Sequence, residues 1–129
     1  MCTVVETALV RRPLNTAVIQ GSAVTMRCGS DDEVSSAYIR WHSYTQCENH
    51  DVTTCTSSLV VYIGYTSDAQ RPEKFDVTAV DNATHVTRDL IIKSAQLTDT
   101  GVYRCDEYIR GVIGSRQSAS ALLIVLGNY

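Results

Sequence analysis

The sequence lacks most features that would assign it a role directly. Its 129 residues carry no basic excess: 11 Lys and Arg stand against 14 Asp and Glu, for a net charge of -3 and a pI near 5.5. The positive footprint that nucleic-acid binding requires is missing, so no nucleic-acid partner is expected. No apolar run approaches the ~20 residues of a membrane helix. The longest is Ala121-Leu122-Leu123-Ile124-Val125-Leu126, and no direct membrane insertion by this segment is expected. Met1-Cys2-Thr3 has neither the basic start nor the apolar stretch of a secretory leader, and Met1 reads as an expression start on a mature or excised domain. Helical periodicity is almost absent, and there is no internal repeat or low-complexity tract. What remains is an ordinary folded composition, 44% hydrophobic, which excludes disorder as the main description. The length suits one core and not two, so residues 1–129 are expected to form a single domain.

Catalytic and metal motifs are equally scarce. His42, His50 and His85 fall in separate segments, and no Ser or Cys sits in a nucleophile motif. An enzyme is therefore not expected, and neither is a cofactor. The five cysteines, Cys2, Cys28, Cys47, Cys55 and Cys105, form no C-x-x-C pair. Cys47, His50 and Cys55 offer three zinc donors, but their spacing fits no common template and a fourth ligand is not evident. Disulfides are the alternative, and they imply an extracellular or secretory compartment. Asn82-Ala83-Thr84 is a glycosylation sequon inside a polar turn and agrees with that compartment. Because five is odd, one thiol is left over or pairs with another chain. The acidic groups Asp31-Asp32-Glu33 and Asp106-Glu107 read as solvated loop or strand-end residues, the usual situation for carboxylates.

What the sequence does contain is short runs rich in Val, Ile, Thr and Tyr, separated by polar turns, which is the all-β pattern. Strands are predicted at Val4–Val10, Ala23–Cys28, Ala37–Thr45, Ser58–Tyr65, Lys74–Val80, His85–Lys93, Gly101–Tyr108 and Ser118–Leu126. Pro13 breaks pairing after the first. Residues 29–36, 46–57, 66–73 and 109–117 are read as connections, the third with room for a short edge strand. Period-two alternation places Val24, Met26 and Cys28 on one face. It also sets Ile39, Trp41 and Ser43 against Tyr38, Arg40, His42 and Tyr44.

One constellation goes further. Asp99-Thr100-Gly101-Val102-Tyr103-Arg104-Cys105 reads D-x-G-x-Y-x-C, with Cys28 and Trp41 upstream. This resembles an immunoglobulin domain of the variable type across nearly the whole chain. The resemblance implies a two-sheet antiparallel β-sandwich with Greek-key connections. It implies a Cys28–Cys105 bridge between the sheets, Trp41 packed against it, and Tyr103 as a tyrosine corner. It further implies a salt bridge from Asp99 to Lys74, where Lys replaces the usual Arg and gives up bidentate geometry. The separation of the two cysteines leaves room for strands C′ and C″. Gly114-Ser115-Arg116-Gln117 does not supply the F-G-x-G of antibody and T-cell-receptor chains. The resemblance is therefore to other immune-type receptors or adhesion molecules, including variable-joining-like domains of invertebrate chordates. A Cys47–Cys55 bridge would then close a loop between strands C and C′, leaving Cys2 unpaired or intermolecular.

Within that frame the expected function is extracellular recognition, by a cell-surface ectodomain or secreted protein. The expected partner is a protein, in the sharpest form a second copy. The expected surface is the outer face of strands G, F, C and C′, carrying Tyr38, Arg40, His42, Tyr44, Arg104, Asp106 and Tyr108. Tyr and Arg are enriched at interfaces and Lys depleted, and this face has no Lys. A second expectation gives glycan, microbial or protein recognition to the end loops 29–36, 66–71 and 109–117, with Arg110 and Arg116 as the guanidiniums for acidic or glycan ligands. A third is a structural spacer in a tandem ectodomain.

Overall fold

In the computed structural model the alternating runs pair into two sheets, and residues 9–32, 35–64, 69–82 and 84–127 are described. The first sheet contains β1 (Leu9–Arg11), β3 (Val24–Met26), β4 (Gly29–Ser30), β7 (Phe75–Asp81) and β8 (Val86–Ile92). The second runs β2-β10-β9-β5-β6, with β2 (Thr16–Ile19), β5 (Ala37–Thr45), β6 (Ser57–Tyr62), β9 (Gly101–Ile109) and β10 (Ser115–Leu126). Pairing is antiparallel except between β2 and β10. The chain is an all-β, two-sheet sandwich. Pro13, which has no amide hydrogen to give a ladder, lies where the chain leaves β1 in one sheet for β2 in the other.

Alternation decides what fills the space between the sheets. Val24, Met26, Cys28, Ile39, Trp41, Val77, Leu90, Ile92, Tyr103, Cys105, Leu123 and Val125 all point inward and are buried. The Cys28–Cys105 disulfide crosses this core with its Cα atoms 6.4 Å apart. Trp41 is fully enclosed, and its indole N–H donates to the carbonyl of Arg88 (2.8 Å). A buried indole would otherwise leave a donor unsatisfied, a cost of about 1–3 kcal/mol.

The D-x-G-x-Y-x-C segment anchors one end of the sandwich. The Tyr103 hydroxyl donates to the Asp99 carbonyl (2.7 Å), and burial, with Asp99 nearby, pushes that hydroxyl far above its ordinary value. Lys74 Nζ lies 2.7 Å from Asp99 Oδ1. The other oxygen accepts from the Gln96 backbone N–H (2.8 Å). Lys74 thus makes a single-point contact with Asp99 in place of the two parallel bonds an Arg could form. Gly101 is fixed by proximity: a Cβ there would lie 2.1 Å from the Tyr44 carbonyl oxygen.

Several boundaries differ from those read off the sequence. The first strand starts, among the described residues, at Leu9 and continues to Arg11; Cys2 lies outside them. Gly29 and Ser30 are not loop but strand, because both register with β8 and β1. β6 covers Ser57–Tyr62, with a bulge opposite Trp41 and His42 that lets Val61 and Tyr62 both be buried. No strand lies between β6 and β7 among the described residues, which exclude 65–68. β10 starts at Ser115, so the expected 109–117 connection shrinks to 110–114. Gly111 and Gly114, at φ 83° and 86°, take the left-handed conformations such a tight turn needs.

Gly101→Ala is expected to cost about 3 kcal/mol, since the clash is with backbone. Tyr103→Phe is expected to cost about 1–2 kcal/mol by leaving the Asp99 carbonyl unpaired. Urea unfolding with an unchanged m-value checks both.

Candidate functional site

The outward face of the β2-β10-β9-β5-β6 sheet collects the Tyr and Arg side chains, because β5 and β9 pair residue for residue over nine positions. Tyr38 faces Tyr108, Arg40 faces Asp106, His42 faces Arg104 and Tyr44 faces Val102. Cross-strand and diagonal neighbours on one face are within reach of each other, and here they interlock. The Tyr38 and Tyr108 rings stack at 5.1 Å between centroids, 8° from parallel. Arg40 lies over Tyr108 (4.9 Å), Arg110 over Tyr38 (5.5 Å) and Arg104 over Tyr44 (5.3 Å). His42 stacks near Tyr44. Val60 on β6 stands opposite His42 and is exposed, adding apolar area at the edge of the face.

These side chains point away from the core, yet Tyr38 is only 8% exposed. Its own neighbours cover it. Cation–π contacts at exposed sites are worth about 0.5–1 kcal/mol each, so these side chains brace one another within the single chain.

Asp106 corrects the expectation that Asp106-Glu107 is a solvated pair. It is 1% exposed, lying beneath Arg104 and His42. Ser118 Oγ donates to Oδ1 (2.5 Å) and Arg104 Nη2 to Oδ2 (3.1 Å). Arg104 Nε and His42 Nε2 approach to 2.9 and 3.1 Å, but out of line, so neither makes a hydrogen bond among the described residues. Burial pushes the Asp106 carboxyl up, and His42, Ser118 and Arg104 together outweigh it, holding it at about 2.

Glu107 corrects the same expectation from the other side of the sheet. It is fully buried, because alternation from Tyr103 and Cys105 continues inward. Ser30 Oγ donates to it, and Arg116 binds it through Nε (2.6 Å) and Nη2 (2.9 Å). Arg116 also pairs with Asp32. The hydrogen bond to Glu107 is the main reason its guanidinium is held above the ordinary arginine range. The Asp31, Asp32 and Glu107 carboxylates lie within 4.8 Å of one another, with Arg116 among them. Arg116 therefore stands on β10, not in a loop, and its charge is consumed by ties between strands and the 31–36 connection.

The loop expectation changes in consequence. Arg110 is laid on Tyr38, and Arg116 is ion-paired. What the β9–β10 turn presents is apolar: Val112 is exposed and Ile113 entirely so. Of the 66–71 connection, 66–68 lie outside the described residues, and Arg71 pairs with Glu73 (3.2 Å). Cys47 and Cys55 are bridged, which takes them away from zinc and ties the 46–56 connection around a 3-10 turn at Glu48–His50. Two signals in the sequence carried these features: the inward phase of Glu107 after Cys105, and the Gly111…Gly114 bracket marking a tight turn.

No protein-family model matches the chain, and no curated protein matches its sequence.

A depressed carboxyl stabilises the fold above its unfolded value and loses that effect as pH falls toward its folded one. For Asp106 the window runs from the ordinary 3.8 down to about 2. Between pH 5 and pH 2 the stability of the protein should therefore fall by about 2 kcal/mol through this group. In Asp106→Asn that component should be gone, which parallel denaturant titrations across the window measure.

Proposed function

We propose that this chain is an immunoglobulin-type variable module of an extracellular receptor or adhesion protein, acting by recognition and not by catalysis. It binds a protein partner, in the sharpest form a second copy of itself, through the outward face of the β2-β10-β9-β5-β6 sheet. The observation that carries this reading is the interlocked layer of Tyr38, Tyr108, Tyr44, Arg40 and Arg104. Ordering a long side chain at an interface costs about 0.5–1.5 kcal/mol. Here the ordering has already occurred within the monomer, so association keeps more of what it gains. Tyr and Arg are also the residue types that dominate binding hot spots. In a two-fold pair one patch meets itself, and Arg40 and Arg104 on one copy have π faces and the rim of the Asp106 cluster on the other to approach. The two disulfides support an oxidising compartment.

A second reading places recognition at the β9–β10 turn. Its support is the full exposure of Ile113 beside Val112, an apolar tip between two left-handed glycines. A spacer role, the third reading, predicts that neither surface matters.

Arg40→Ala with Tyr44→Ala separates these readings better than a variant at Arg104, which is needed to hold Asp106. In sedimentation at increasing concentration the double variant should weaken self-association by well over tenfold. Its melting temperature should stay within a few degrees, since neither side chain enters the core. A wild type that stays monomeric at high concentration contradicts the homophilic form. A partner that is lost with Val112→Ser and Ile113→Ser, and kept in the face variant, moves recognition to the turn.

A further inference from the structure

We infer that Asn82 is the acceptor of an N-linked glycan, and that this glycan leaves the first sheet's end of the molecule while the Tyr–Arg face of the second sheet stays bare. The acceptor assignment rests on the extracellular placement proposed above, and the bare Tyr–Arg face on the choice of binding face. A sequon alone is three residues and arises by chance; the geometry adds three facts. Asn82 and Thr84 are both exposed, at the tip of the β7–β8 hairpin. The Asn82 side chain is already folded over the turn: its Oδ1 accepts from the Thr84 N–H (2.9 Å), the Thr84 hydroxyl (3.0 Å) and the His85 N–H (2.9 Å). With Oδ1 committed inward, Nδ2 makes no hydrogen bond among the described residues. The nitrogen to be modified is accessible, and the threonine the modification requires is locked beside it.

The chemistry needs only a lipid-pyrophosphate-linked oligosaccharide as co-reactant. Asn82 Nδ2 forms a bond to the anomeric carbon and loses one proton. The bond from that carbon to the pyrophosphate oxygen breaks, and the lipid pyrophosphate departs. Nothing is oxidised or reduced.

Placement follows from register. Asp81 pairs with Val86, and Val86 with Ser30, so the hairpin tip lies at the end where the 31–36 connection leaves β4. The outer face of that sheet presents Thr25, Asp76, Thr78 and the exposed Val80, with Asp89 covered by a bidentate Arg11 (3.0 and 2.8 Å). Tyr44 and Arg104 belong to the other sheet. A glycan at Asn82 therefore shields a surface with no aromatic side chain among the described residues and spares the one that has them.

The test is intact-mass analysis of the full chain delivered to the secretory pathway of a eukaryotic cell behind a heterologous leader, in both medium and cell-associated fractions. Wild type should carry one glycan, removed by peptide N-glycosidase with conversion of Asn82 to Asp. Thr84→Ala and Asn82→Gln should each abolish it, and Thr84→Ser should retain it. Self-association should change less than threefold on enzymatic removal. Wild type that forms both disulfides in that compartment yet stays unmodified overturns the acceptor assignment and leaves the binding proposal standing. A gain of tenfold or more in self-association on glycan removal overturns the placement.

Discussion

Cys28, between β3 and β4 of one sheet, and Cys105, on β9 of the other, are bonded, and that bond fixes how far apart the sheets stand and which residues beside it face inward. A disulfide closing a loop of this length removes chain entropy from the unfolded state worth about 4–5 kcal/mol. Its geometric effect reaches further. Once Cys105 points inward, the period of two sends Tyr103 and Glu107 in with it and Arg104, Asp106 and Tyr108 out. Once β5 pairs with β9 around Trp41 and Cys105, Tyr38, Arg40, His42 and Tyr44 must share the outer face. The core bridge and the candidate recognition face are thus two consequences of one register, and a slip by a single residue would exchange them.

Charge is used on both sides of the second sheet, and for different purposes. On the outer face Asp106 neutralises Arg104 and orients it across Tyr44. On the inner side Glu107 is buried against Ser30 and Arg116, and Arg116 reaches on to Asp32. A buried carboxylate is costly unless paired and hydrogen-bonded, and this one has both kinds of partner. The cluster links β4, β9, β10 and the 31–36 connection at one end of the sandwich. The Lys74–Asp99 pair with the Tyr103 hydroxyl does similar work at the other.

The parts legible in the sequence were those set by strictly local rules. The nine-residue β5 follows from unbroken alternation, and the D-x-G-x-Y-x-C segment carries its own reasons: a close approach at Gly101, a hydroxyl reaching back at Tyr103, a bridge at Cys105. What escaped reading depended on contacts between distant segments. Gly29 and Ser30 look like the start of a loop until β1 and β8 flank them. Glu107 looks like a solvated acid until Ser30 and Arg116, 77 and 9 residues away, close around it. Arg110 and Arg116 look like free cations because composition does not show what a guanidinium rests on. The apolar tip at Val112 and Ile113 was hidden inside a connection drawn too long.

The pre-ordered Tyr–Arg face is the surface proposed to meet a partner. Backbone amide shifts followed by NMR over a hundredfold dilution decide whether it does. Concentration-dependent shifts should concentrate at residues 38–44, 58–60 and 102–108, with the β7–β8 hairpin and the 111–114 turn unmoved. Shifts confined to Val112 and Ile113, or a spectrum independent of concentration with no partner found for this face, would contradict it.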